Sequence, residues 1–308
     1  MSRLTNKPDI QSTLKSLDTE EFIDIHFYRP IGYRWALFFN KWGISPNTVT
    51  IISIFLGVAA GVCFYFQDIS INVVGMLLLV WANSYDSADG QLARMTGQSS
   101  PLGRILDGLC GDIWFITIYA AICLRLMPFW GVWIWVLAAV TGYFHSKQAS
   151  MADYYRNVHL LFLKGKAGSE LSDSTTLREE GKTLSWGRHF IYKLFNVFYT
   201  RYTEGQERWT PRFQQLMDQL RTQYNDQAPE WFRTVFREKS LPLMKYTNML
   251  SFNTRVIALF VSLLINQPWV YFIFELTVLN IMLVYMVTAH ERFSVSLCEQ
   301  LIETQRDV

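Results

Sequence analysis

The chain has 308 residues, of which 50% are hydrophobic and 18% charged; a soluble globular chain carries about 25% charged residues. A net charge of +2 and the lack of a short basic run argue against a nucleic-acid surface. The mean hydropathy of +0.11 excludes a chain that is membrane span throughout, so apolar spans must alternate with a sizeable polar part.

Residues 1–44 read as an N-terminal cytoplasmic segment. The stretch Met1–Ser16 is polar and lacks the apolar core of a secretory signal, so insertion relies on the spans themselves. Between 18 and 43, Phe22, Ile25, Phe27, Ile31, Trp35, Leu37 and Phe38 alternate with polar residues, which predicts an amphipathic interfacial helix broken at Pro30. A span needs about 20 mostly apolar residues to cross the hydrocarbon. Residues 45–147 hold four such stretches, 48–67, 70–88, 108–126 and 128–146.

Residues 148–250 are charged at soluble density and form a cytoplasmic insert expected to be helical. Within it, 166–183 reads as a mobile loop, rich in Ser, Thr, Gly and charge. The stretch 184–202 carries apolar and aromatic residues at helical spacing and suits an interface. Two amphipathic helices follow over 207–224 and 229–240, with Pro211 and Pro229 near their starts. Residues 251–308 hold the last two spans, 253–267 and 269–289, and a tail. The expected fold is therefore all-α and polytopic, with six transmembrane helices. The connections near 67–70, 124–130 and 266–268 hold Arg125 as their one basic residue, whereas Arg94, Arg104, Lys147, Arg156 and the insert supply many on the other side. The positive-inside bias makes that second side, and both termini, cytoplasmic. Cys63, Cys110, Cys123 and Cys298 lack metal-ligand spacing and read as reduced packing residues.

The chemistry concentrates in residues 86–112, DSADGQLARMTGQSSPLGRILDGLCGD. Asp86 and Asp89 are one helical turn apart and share a face. Asp107 opens the next span one short connection later, and antiparallel pairing brings it opposite them. Carboxylates converging at a membrane boundary repel one another unless a cation joins them, and hard divalent metals such as Mg²⁺ take oxygen ligands of this kind. A lone helix-terminal aspartate is ordinary, but four aspartates spaced with glycines and an arginine between two spans are not.

The spacing resembles the signature D-x2-D-G-x2-A-R-x8-G-x3-D-x3-D of the CDP-alcohol phosphotransferases, and every position from Asp86 to Asp107 matches. The resemblance covers about 45–147 and the last two spans, and the family's six-span fold agrees with the count above. It implies a phospholipid-biosynthetic transferase that moves a phosphatidyl or substituted phosphate group from a CDP-activated lipid or headgroup donor to an alcohol, releasing CMP. It further implies two divalent ions, Mg²⁺ or Mn²⁺, on Asp86, Asp89 and Asp107, and a homodimer in the membrane. Gly90 would let the nucleotide approach the backbone, Ala93 is small for a similar reason, and Arg94 would bind phosphate oxygens. Pro46, Asn47 and Thr50, entering the first span, match the donor-binding segment, and Ser100 is a further candidate for the nucleotide.

One position departs from the signature. The fourth aspartate, expected as general base and metal ligand, falls at Gly111, and the carboxylate stands at Asp112. A π-bulge or an unwound turn between Gly108 and Gly111 would return Asp112 to the metals; otherwise the base comes from elsewhere or the chain is a non-catalytic membrane scaffold. His145, Lys147 and Arg156, at the end of the fourth span and beyond, are candidates for the acceptor. The positive charge of Lys147 and Arg156 favours a polyol phosphate, such as inositol phosphate, attacking CDP-diacylglycerol, and also suits ordinary flanking residues. Transfer of a headgroup to diacylglycerol or ceramide is the alternative.

Overall fold

The computed structural model describes residues 16–98, 101–187, 189–225 and 227–306, and every regular element among them is helical. In chain order the α-helices are α1 (Arg29–Lys41), α2 (Pro46–Cys63), α3 (Ile69–Thr96), α4 (Pro101–Trp130), α5 (Trp133–Lys164), α6 (Ser174–Thr183), α7 (Phe190–Trp209), α8 (Pro211–Tyr224), α9 (Glu230–Met249), α10 (Phe252–Leu264), α11 (Trp269–Phe274) and α12 (Asn280–Arg306). Among the described residues, five stretches are long and apolar enough to cross a membrane: Pro46–Cys63, Ile69–Thr96, Ile105–Trp130, Glu230–Leu264 and Trp269–Glu303. This is an integral membrane protein. The expected span 128–146 lies largely on α5, which is helical throughout but is not among the five. Its run of Trp133, Trp135, Tyr143, His145 and Lys147 replaces aliphatic bulk with rings and polar groups that favour an interface.

The chain divides into two compact units. The first comprises residues up to Phe144 together with Phe252–Leu276. Its helices start where local chemistry dictates. Ser45 caps α2 by accepting a hydrogen bond from the Thr48 amide at 3.3 Å, with Pro46 in the first turn. Asp68 caps α3 through the Ser70 and Ile71 amides, and Gly97 ends it in the left-handed conformation at φ 66°. Between α2, α3, α4 and α10 lies a core that includes Phe64, Leu79, Trp114, Ile118 and Leu259. At Gly57 a Cβ would stand 2.1 Å from Trp114 Cδ1, so only glycine lets α2 meet that indole. The Trp114 ring nitrogen donates to the Ser53 carbonyl at 3.2 Å.

The break expected at Pro30 is absent. Pro30 sits in the first turn of α1, where proline is tolerated, and a π-helical turn, Asp24–Tyr28, leads into it. Ala36 and Phe39 of α1 are buried with Tyr85, Ala88 and Leu92 of α3, while Phe38 and Trp42 stay exposed.

The second unit comprises His145–Ser251 and Thr277–Val308. Its core is aromatic: Phe162 and Phe236 lie 4.2 Å apart, and Phe236 meets Phe293 of α12 edge-on at 5.3 Å. The Glu291 carboxylate accepts from the Arg212 and Phe213 amides, which caps α8. The stretch expected as a mobile loop is half helix. Asp173 caps α6 by accepting from the Thr176 amide at 2.8 Å, and Leu177 is buried. The Ser174 amide donates to Glu207 of α7 at 2.8 Å. Composition alone suggested disorder, but a side-chain cap and a tertiary contact fix the segment.

Candidate active site

The α3–α4 hairpin builds the site. Asp86 and Asp89 lie one turn apart near the C-terminal end of α3, and Asp107 lies in the second turn of α4. One oxygen from each carboxylate lies within 4.8 Å of the others. Asp89 is buried at 4% exposure, Asp86 is half-buried and Asp107 is exposed. Asp89 accepts a hydrogen bond from the buried Thr50 hydroxyl of α2, which also reaches the Pro46 carbonyl at 3.2 Å. One turn along α2, the Ser53 hydroxyl donates to the Ala82 carbonyl at 2.7 Å and accepts from the Cys110 thiol at 3.9 Å. This α2 face therefore holds α3 and α4 in register at the carboxylates.

The donor set fits a hard divalent cation. Three anionic oxygens from two helices converge, and among the described residues neither Asp86 nor Asp89 forms an ion pair with a basic side chain. Like charges held this close, partly out of water, call for a positive partner.

Around the carboxylates, Gly90 is half-buried, and a Cβ there would stand 3.4 Å from Arg94 Nη1. The exposed Arg94 guanidinium thus lies over the Gly90 backbone, with the small Ala93 beside it. Pro46 is buried and Asn47 half-buried at the start of α2. Ser100 lies outside the described residues.

Asp112 does not join the group. Helix α4 continues as regular α-helix through Gly108 and Gly111, so neither the bulge nor the unwound turn is present. Five residues after Asp107, the exposed Asp112 is turned from it by about 140°. The second unit carries the remaining candidates on α5. Eleven residues separate His145 from Arg156, which puts them within about 20° of each other, while Lys147 is turned about 200° from His145. One helix does not converge the three. Lys147 Nζ would lie 3.4 Å from a Cβ at Gly205 of α7, and Arg156 donates to Asn248 Oδ1 at 2.8 Å.

Sequence reasoning missed the N-terminal contribution to the first unit. The Asn253 side-chain amide of α10 donates to both Glu21 and Asp24 at 2.9 Å. Arg29 pairs with Glu20 through two bonds of 3.0 Å, and the buried Gln91 donates to the Arg29 carbonyl at 3.1 Å. These residues lay in a stretch whose only visible signal was amphipathicity.

Comparison with known proteins agrees with this geometry. Residues 43–155 match the family model for CDP-alcohol phosphatidyltransferase. This segment belongs to that family. It contains α2, α3 and α4, and with them Thr50 and all three converging aspartates. Among similar proteins, an archaetidylinositol phosphate synthase from Pyrococcus horikoshii is 36% identical over 90 residues, covering 29% of this chain and 46% of that one. A bifunctional IPC transferase and DIPP synthase from Aquifex aeolicus is 28% identical over 98 residues, 32% of this chain and 22% of its own length. Cholinephosphotransferase 1 from Saccharomyces cerevisiae is 31% identical over 101 residues, 29% of this chain and 25% of its own. The chain thus spans less than half the length of each of these relatives.

Proposed function

We propose that this protein transfers a substituted phosphate group from a CDP-activated donor to an alcohol with release of CMP. The convergence of Asp86, Asp89 and Asp107 carries the reading. These carboxylates would hold divalent cations, Mg²⁺ or Mn²⁺, whose chemistry is to neutralise charge on the donor's phosphates. Arg94, spread over the Gly90 backbone, binds a phosphate oxygen, and the absent Cβ at Gly90 leaves room for the nucleotide. Pro46, Asn47 and Thr50 form the wall on α2, with Thr50 fixing the Asp89 rotamer.

Asp107, the exposed member of the group, takes the proton from the acceptor hydroxyl. The alcohol oxygen bonds to the phosphorus next to the donor's alcohol, the pyrophosphate P–O bond breaks, and CMP leaves. Asp112, facing elsewhere on a regular helix, does not serve this step. For the acceptor we favour a phosphorylated polyol, with CDP-diacylglycerol as donor; the similarity to an archaetidylinositol phosphate synthase supports it. The positive-inside bias supports a cytoplasmic site.

The test is CMP release by the purified protein against a panel of CDP-donors and alcohols. Release with one pair, dependent on Mg²⁺ and lost in Asp89→Asn, supports the reading. No release with any pair, with Mg²⁺ and lipid present, would favour the scaffold alternative.

A further inference from the structure

Far from the aspartates, the first unit encloses a second polar site. Arg125 lies eighteen residues after Asp107 on α4, about 27 Å along the helix, at the other end of the span. It is 4% exposed. Its Nη1 donates to the Phe64 carbonyl at 3.1 Å and to Asn72 Oδ1 at 3.2 Å, and its Nη2 donates to Asn266 Oδ1 at 2.6 Å. All three partners are neutral. Among the described residues, the Nε–H and one Nη2–H find no acceptor. A buried cation held only by neutral oxygens is costly.

The same arginine lines a cavity of about 240 Å³ together with Gln67, Asn266, Gln267, Trp130 and Trp269. Besides Asn266, the side-chain amides of Gln67 and Gln267 add hydrogen-bonding groups, and the two indoles pack at 5.7 Å on its rim. Exposed Phe66, Phe129 and Trp133 surround this end of the unit. Such rings mark the boundary between hydrocarbon and headgroups. We propose that this cavity binds the phosphodiester of an anionic lipid, from the leaflet opposite the aspartates, with Arg125 supplying the charge and the Trp130–Trp269 rim the contact to the lipid body. The anion completes the arginine's donor set, and the lipid thereby ties together the connections after α2 and α10.

Removing Arg125 would also break its three structural bonds, so the test uses the exposed Gln67. Thermal unfolding of the purified full chain is followed in detergent with dioleoyl-phosphatidylglycerol, dioleoyl-phosphatidylcholine or inorganic phosphate. The anionic lipid should raise the wild-type midpoint above the zwitterionic one, and inorganic phosphate should not. Gln67→Glu places a carboxylate on the cavity that Arg125 also lines. It should raise the midpoint without lipid and weaken phosphatidylglycerol protection by about tenfold or more. Gln67→Lys should shift both in the opposite sense. Equal protection of wild type and both variants would overturn the site. Equal protection by the two lipids would remove the requirement for net charge, and equal protection by inorganic phosphate would replace the lipid with a free anion.

Discussion

The departure of Asp112 from the family spacing leads to a quantitative expectation. On the regular α4 helix, Asp112 is rotated about 140° from Asp107 and displaced about 7.5 Å along the axis. Position 111 lies only about 40° from Asp107, and a Cβ built on Gly111 meets nothing within 4 Å. Asp112→Asn should therefore leave kcat within about threefold of wild type, because no base is lost. Asp107→Asn should lower kcat by about 10²–10⁴-fold, the usual worth of general-base assistance, with further loss from weakened metal binding. Gly111→Asp should fold normally and add a fourth carboxylate on the face of the group. It should lower the Mg²⁺ concentration for half-maximal rate without restoring Asp107→Asn. Steady-state CMP release, with kcat and KM resolved at several Mg²⁺ concentrations, reads all three. A loss of more than a hundredfold in kcat for a well-folded Asp112→Asn would refute the reasoning and return the base to Asp112.

Other consequences can be measured independently. Thr50→Val removes the hydroxyl that holds Asp89, a hydrogen bond to a charged group worth about 1.5–3 kcal/mol, and should raise the Mg²⁺ requirement by about tenfold or more in the CMP assay. Gly57→Ala drives a methyl into Trp114 and should cost about 1–3 kcal/mol, seen as a lower unfolding midpoint. Asp173→Ala should destabilise α6 by about 1 kcal/mol and raise proteolytic cleavage within 174–183, while leaving CMP release unchanged. A segment cleaved equally in both proteins would show that the cap does not order it.

The hairpin with its aspartates was legible because spacing along a helix is local information. So were the starts of α2 and α9, where Pro46 and Pro229 set the backbone, whereas the helix expected from 207 begins at Pro211. What stayed hidden depends on contacts distant in sequence. Helix α6 forms because Ser174 and Leu177 find partners that no composition rule supplies. A π-helical turn was expected near Gly111, yet among the described residues those present lie at Asp24–Tyr28 and Glu275–Leu279. In the second of these, the buried Glu275 pairs with Arg255 at 2.8 Å and accepts from Tyr119 at 2.6 Å. An ion pair inside an apolar run leaves no trace in a hydropathy profile, because each charge reads alone as an interruption. The count of spans is ambiguous for a related reason: the tryptophans of α5 lower its hydropathy while remaining compatible with a membrane boundary.

Asp86, Asp89 and Asp107 should together bind a divalent cation. Electron paramagnetic resonance of Mn²⁺ titrated into the detergent-purified protein tests it without any substrate. Binding should be saturable, displaced by Mg²⁺, and weakened at least about tenfold in Asp89→Asn, since a charged ligand becomes neutral. Wild type and Asp89→Asn binding Mn²⁺ with equal affinity, or wild type not binding it at all, would show that these aspartates are not a cation site.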